Sequence, residues 1–177
     1  MAIVNIPEKE ITLTKVSEIE NFLKRNGIVY EYWETKGEIP NYFTQEEILD
    51  VYRSKLQPFM ENGGYKNADV ISINENTENY TEIRKKFLAE HTHTEDEIRF
   101  FVDGQGLFWF HLDGEPIFNV LCQKGDLISV PIGYKHWFDA GVQNPHVKCI
   151  RIFSDTSGWT PVYTESKVEK RFEQYSL

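Results

Sequence analysis

The chain has 177 residues, of which 40% are apolar and 14% aromatic, enough for one globular domain with a sizeable core. Its 28 acidic and 19 basic residues give a net charge of -9, which argues against nucleic acid or an anionic membrane as partner. No apolar run approaches the ~18 residues that span a bilayer, and Met1 to Glu10 lack the basic start and apolar stretch of a secretion signal.

A cytoplasmic protein is therefore expected, working as a monomer. Cys122 and Cys149 form no C-x-x-C pair and read as reduced, buried thiols. By pattern the chain is one domain, 1–177, in three parts. About 1–90 is helix-containing, about 91–163 is strand-rich, and 164–177 is a charged tail.

In chain order, Ser17-Glu18-Ile19-Glu20 reads as a capping box, with Phe22 and Leu23 on an apolar stripe and Asn26-Gly27 as the stop. Residues 28–33 read as a strand. Thr44-Gln45-Glu46-Glu47 is a second capping box. It opens a helix with Ile48, Val51, Tyr52 and Leu56 at helical spacing, disturbed at Pro58 and ended by Gly63-Gly64. A short strand over 70–73 is rich in β-branched residues, and 81–88 reads as a third helix.

Six short apolar or aromatic runs follow, over 98–102, 107–111, 116–121, 127–130, 136–138 and 147–153. Turn signals separate them: Asp103-Gly104-Gln105-Gly106, Asp113-Gly114, Lys124-Gly125-Asp126 and Asn144-Pro145. Strands at this spacing indicate a sandwich or barrel. The last residues of the tail are expected to be mobile.

His91-Thr92-His93-Thr94-Glu95-Asp96-Glu97 carries the chemistry. Strand side chains alternate faces, so the odd-numbered His91, His93 and Glu97 can point into one cavity. Imidazole and carboxylate suit a divalent first-row metal. His136, delivered by Pro131-Ile132-Gly133, is the candidate fourth ligand. A metal-free cluster of satisfied polar groups is the competing reading, and four ligands at matched spacing weigh against it.

The glycines extend the pattern. H-x-H-x-x-x-E followed by Gly104, then G-x5-P-x-G-x-x-H from Gly125 to His136, resembles the two motifs of the cupin superfamily. The departures are Lys85, where that pattern opens with glycine, and Ala140, where it often closes with asparagine; neither is a ligand position. Within the cupins the chain resembles the acireductone dioxygenases. The resemblance rests on Gly64-Tyr65-Lys66, Asp69-Val70-Ile71-Ser72, residues 90–100 and 125–131, Arg151-Ile152-Phe153 and Gly158-Trp159-Thr160-Pro161-Val162-Tyr163.

That resemblance implies a mainly β fold, a small cupin-type barrel with additional N-terminal helices. It also implies a methionine-salvage dioxygenase holding one Fe2+ or Ni2+ per chain, with acireductone and O2 as substrates.

Arg99 shares the ligands' parity and should point into the barrel, where a buried guanidinium needs an anion. It either pairs with Glu95 or another acid or anchors an enolate oxygen of the substrate. Phe101 and Phe138 are either plain core or a wall for the thioether tail, and Trp159 either closes that pocket or packs. His111 and His146 read as surface or strand-end residues. Glu90, Glu95 and Asp96 read as solvated or outer acids, Glu95 being a weak candidate for orienting a ligand. Two rivals stand beside the dioxygenase: another metal-dependent cupin enzyme, and a non-catalytic cupin that binds a small molecule.

Overall fold

The computed structural model describes residues 1–35, 37–40, 42–155 and 160–177. In chain order its elements are β1 (Ile3–Ile6), β2 (Ile11–Leu13), α1 (Val16–Arg25), β3 (Val29–Tyr32), α2 (Gln45–Gly63), β4 (Asn67–Ile73), α3 (Tyr80–Leu88), β5 (His91–Thr92), β6 (Glu97–Phe110), β7 (Phe118–Gln123), β8 (Asp126–Val130), β9 (His136–Asp139), β10 (Val147–Phe153) and β11 (Val162–Tyr163). Two antiparallel layers result. One runs β11-β5-β9-β6-β7-β1-β2, the other β4-β10-β6-β8-β3. Strands from the helix-containing first part thus complete both layers. No helix among the described residues is long and apolar enough to cross a membrane.

The two layers share β6. Its first half pairs with β8 and β10, its second half with β7 and β9. The four residues from Asp103 to Gly106 are therefore not the turn that their composition predicts. Opposite them the register slips: Lys148 faces Asp103, whereas Cys149 faces Phe101. Val102 is the extra residue of a β-bulge. Gly104 sits beside it at φ +72, and a Cβ there would lie 1.9 Å from the His146 carbonyl oxygen. Close backbone approach, not chain reversal, is what that glycine serves.

The bulge inverts the alternation. Before it, Glu97, Arg99 and Phe101 face inward while Ile98, Phe100 and Val102 pack outward with α2. After it, Phe108 and Phe110 are inward, and Leu107 and Trp109 are outward. Both faces are covered, so the residues on either side of Asp103–Gly106 read as apolar runs.

α2 opens with the expected capping box: the Glu47 N–H donates to Thr44 Oγ1, and the Glu47 carboxylate accepts from the Thr44 N–H at 2.7 Å. Ile48, Tyr52 and Leu56 are buried along one face, each contributing about 1.5–3 kcal/mol of apolar burial. Pro58 lies inside this helix, which continues to Gly63; it removes one backbone donor and crowds the carbonyl one turn earlier.

α1 starts two residues earlier than its sequence signal. Lys15 is the N-cap without a side-chain bond, the Ile19 N–H donates to the Lys15 carbonyl, and Ser17 lies inside the first turn. The tail also departs from expectation. A 3-10 helix over Val168–Tyr175 lays Phe172 5.0 Å from the Trp109 ring, beside the stacked Trp109–Trp137 pair. The Leu177 N–H then donates to Asp139 Oδ2 at 3.1 Å. One aromatic side chain and a buried acceptor anchor an otherwise charged segment.

Candidate metal centre

His91 on β5 is the register partner of His136 on β9. Glu97 opens β6 opposite Val130, and His93 follows β5. The ligand atoms of these four buried residues all lie within 4.8 Å of one another. Glu97 Oε2 is 2.8 Å from His136 Nε2 and 3.1 Å from His93 Nε2. Shared parity is not the whole reason for the convergence. The strand breaks after Thr92, and a bend over Thr94 and Glu95 separates His93 from Glu97.

That bend is tied to its surroundings. Asp96 accepts from the Ile132 N–H at 2.9 Å and from the Tyr65 hydroxyl at 3.2 Å, while the Gly133 N–H donates to the His93 carbonyl at 3.1 Å. These bonds bring the turn that delivers His136, with Gly133 at φ +78, against the first motif. Glu95 accepts from the Ser154 N–H at 3.3 Å and orients no ligand.

Backbone carbonyls orient the histidines instead. Nδ1 of His91 is 2.7 Å from the Ala89 carbonyl, that of His136 is 2.8 Å from the Tyr134 carbonyl, and that of His93 is 3.3 Å from the Thr160 carbonyl. A carbonyl only accepts, so each Nδ1 carries a proton, and Nε2 is the atom that each ring turns toward the site. Burial, then neighbouring His136, push His91 down to about 4, so it is neutral at ordinary pH. Burial alone would raise Glu97. Arg99, with His136 and His93, outweighs it and holds the carboxyl well below the usual range. Three imidazole Nε2 atoms and an ionised carboxylate converge in one buried space, and this donor set fits a divalent first-row metal, which would take the place of the protons between them.

Arg99 is 5% exposed. Its Nε donates to Glu97 Oε1 at 2.7 Å, so the acid it meets is Glu97 and not Glu95. Its guanidinium lies over the rings of Phe138, at 4.5 Å, and Phe108, at 5.6 Å. Phe101 is fully buried nearby. Gly106 has an ordinary φ, yet a Cβ there would meet Phe138 Cζ at 2.3 Å and Phe101 Cε1 at 3.2 Å. Trp159 lies outside the described residues.

Cys122 and Cys149 are buried free thiols. Burial pushes Cys149 up to about 12, despite Arg99, so neither competes as a ligand. His146 is an exposed partner of Asp103 at 2.9 Å. His111 is one-third exposed, with Nδ1 2.7 Å from Glu90. Glu90 itself is not solvated but buried. Its donors come from residues far along the chain, a contact that no local spacing announces.

A small antiparallel barrel with three imidazoles and one carboxylate converging at one site defines a metal-binding cupin. Residues 4–161 match the ARD/ARD' family. The chain is 57% identical over 170 residues to the acireductone dioxygenase of Picosynechococcus sp., covering 96% of each protein. It is 42% identical over 168 residues to that of Pseudomonas syringae pv. tomato, covering 95% of this chain and 91% of that protein. Among solved structures it is similar to the acireductone dioxygenase from Bacillus anthracis with a cadmium ion in its active centre. The TM-score is 0.84 at 35% identity, over 92% of this chain and 98% of that one. The chain belongs to the acireductone dioxygenase family.

Proposed function

We propose that the protein cleaves the acireductone 1,2-dihydroxy-3-keto-5-methylthiopentene with O2 in the methionine salvage pathway, acting in the cytoplasm as a monomer. The observation that carries this reading is the convergence of His91, His93, Glu97 and His136 beside a buried arginine. With Fe2+ the products are formate and 2-keto-4-methylthiobutyrate, the C1–C2 bond breaking and both oxygen atoms entering the products. With Ni2+ a second carbon–carbon bond breaks, giving formate, carbon monoxide and 3-methylthiopropionate. When bound, the metal supplies Lewis acidity and a template for two adjacent substrate oxygens.

The chain's own residues do the rest. His91, His93 and His136 present Nε2 because their Nδ1 protons are committed to carbonyls. Arg99, steadied by Glu97 and the Phe138 face, favours the deprotonated enediol, since a nearby opposite charge stabilises an anion. An electron-rich enediolate is itself able to reduce dioxygen. Phe101 and Phe138 form an apolar wall for the thioether tail.

Reconstitution tests the reading. Metal-free protein is loaded with Fe2+ or Ni2+, given the enediol and O2, and assayed for formate and carbon monoxide. Carbon monoxide from the nickel form alone is expected. Identical product mixtures would refute the metal-dependent choice, and turnover by neither form would refute the activity.

A further inference from the structure

Glu90 precedes the first histidine of the metal centre and lies outside the ligand set, yet its side chain is 1% exposed. A buried carboxylate has to be matched by donors. Three side chains match it: His111 Nδ1 at 2.7 Å, Thr164 Oγ1 at 2.5 Å and Ser166 Oγ at 2.7 Å. The Glu90 carbonyl also accepts from the Thr164 N–H at 3.0 Å.

Each hydroxyl works in both directions. Thr164 Oγ1 accepts from the Ser166 N–H at 3.4 Å, and Ser166 Oγ accepts from the Val168 N–H at 3.2 Å, where the 3-10 helix begins. One carboxylate therefore fixes the C-terminal segment at two successive points. Just upstream, β11 pairs with β5, Tyr163 opposite His91 and Val162 opposite Thr92. Two residues before β11, the Thr160 carbonyl is the acceptor for His93 Nδ1.

We infer that Glu90 is a positioning residue of the metal centre: its carboxylate holds segment 160–166 against β5, and that segment orients His93. The inference rests on the reading that His91, His93, Glu97 and His136 hold a metal. His93 is the ligand that depends on the tether, because His91 and His136 take their acceptors from two residues earlier in the chain.

The test uses zinc as a diamagnetic probe, with chelator-driven release and the histidine Nδ1–H resonances as readouts. In Glu90→Ala, zinc should leave about 10–100-fold faster, the usual cost of losing an outer partner. The His93 Nδ1–H signal should be lost to exchange while those of His91 and His136 persist. Thr164→Val combined with Ser166→Ala, which leaves residue 90 intact, should reproduce that pattern. Glu90→Gln keeps an acceptor oxygen for both hydroxyls and should restore both readouts. His111→Ala, which frees no bond to the C-terminal segment, should change neither.

Unchanged release in both tether variants would overturn the inference. So would equal weakening of all three histidine signals, or the same loss in His111→Ala, since Glu90 would then act on stability in general. If the unaltered protein takes up no zinc, the metal reading falls and the inference with it. Normal uptake with an indifferent Glu90→Ala removes the inference alone.

Discussion

Two ways of steadying a ligand coexist in this barrel. His91 and His136 each donate to the carbonyl two residues earlier, at 2.7 and 2.8 Å. His93 donates at 3.3 Å to Thr160, 67 residues further along. A local bond comes with the turn that forms it and costs little further ordering. The distant bond exists only once β11 has docked on β5. Two thirds of the imidazole set is thus built into the motifs, and one third is conditional on the chain's far end.

The strongest way to break this comparison is to remove ligands one at a time. His136→Ala, which deletes the nitrogen 2.8 Å from Glu97, should weaken metal binding by more than about 100-fold, beyond what outer partners cost. His93→Ala should lose less, and equal losses measured by metal titration would erase the distinction. Next, Arg99→Ala should lower turnover by about 100-fold or more, the scale of losing one charge-stabilising donor, with metal content near normal. Arg99→Lys keeps the charge without the planar fork and should keep part of the activity. Loss of metal together with turnover would make Arg99 a support for Glu97 and not a substrate anchor.

Acid sharpens the comparison from the other side. In metal-free protein, His91 is held near 4 in place of 6.5 by burial and then by His136. The unfolded chain therefore binds the extra proton first. Stability should be full above pH 6.5 and decline as pH falls toward 4, by up to about 3 kcal/mol. Denaturant midpoints of the apoprotein between these limits give the slope, and His91→Asn should flatten it. The smallest expected effect concerns support at a distance. Gly106→Ala drives a methyl into the Phe138 ring and should cost about 1–3 kcal/mol. It should also disturb Arg99, whose guanidinium rests on that ring, and adding Phe138→Leu should recover part of the loss in thermal unfolding.

The ligands were legible because H-x-H-x-x-x-E and G-x5-P-x-G-x-x-H are local signatures, and the Thr44–Glu47 box was legible because capping is a contact between near neighbours. The bounds of β10 followed from a run in which apolar residues outnumber Lys148 and Arg151, between Asn144-Pro145 and Ser154-Asp155. What escaped has the opposite character. Glu90 was left between a solvated and an outer acid because Thr164 and Ser166, which settle its burial, are remote in sequence. The tail looked mobile because one phenylalanine among charges gives no periodic signal, although two tryptophans await it. Asp103 to Gly106 looked like a turn because glycine marks both a reversal and a close approach of two backbones. The start of α1 was misjudged by two residues because Ser17 fits a cap by composition, while the Lys15 carbonyl already accepts the first helical bond.

The slipped register at Val102 bears on how this chain is able to vary over evolutionary time. Substitutions in β6 alter one packing position each. Losing or gaining a single codon there would exchange lining for cladding along everything downstream in the strand. Phe108 and Phe110 would turn toward solvent-side cover and Leu107 and Trp109 toward the cavity, unless Val102 were the residue removed and the slip vanished with it. Length in this strand should therefore be far less negotiable than identity, and lineages that differ in size are expected to differ in the loops flanking β6 and not within it.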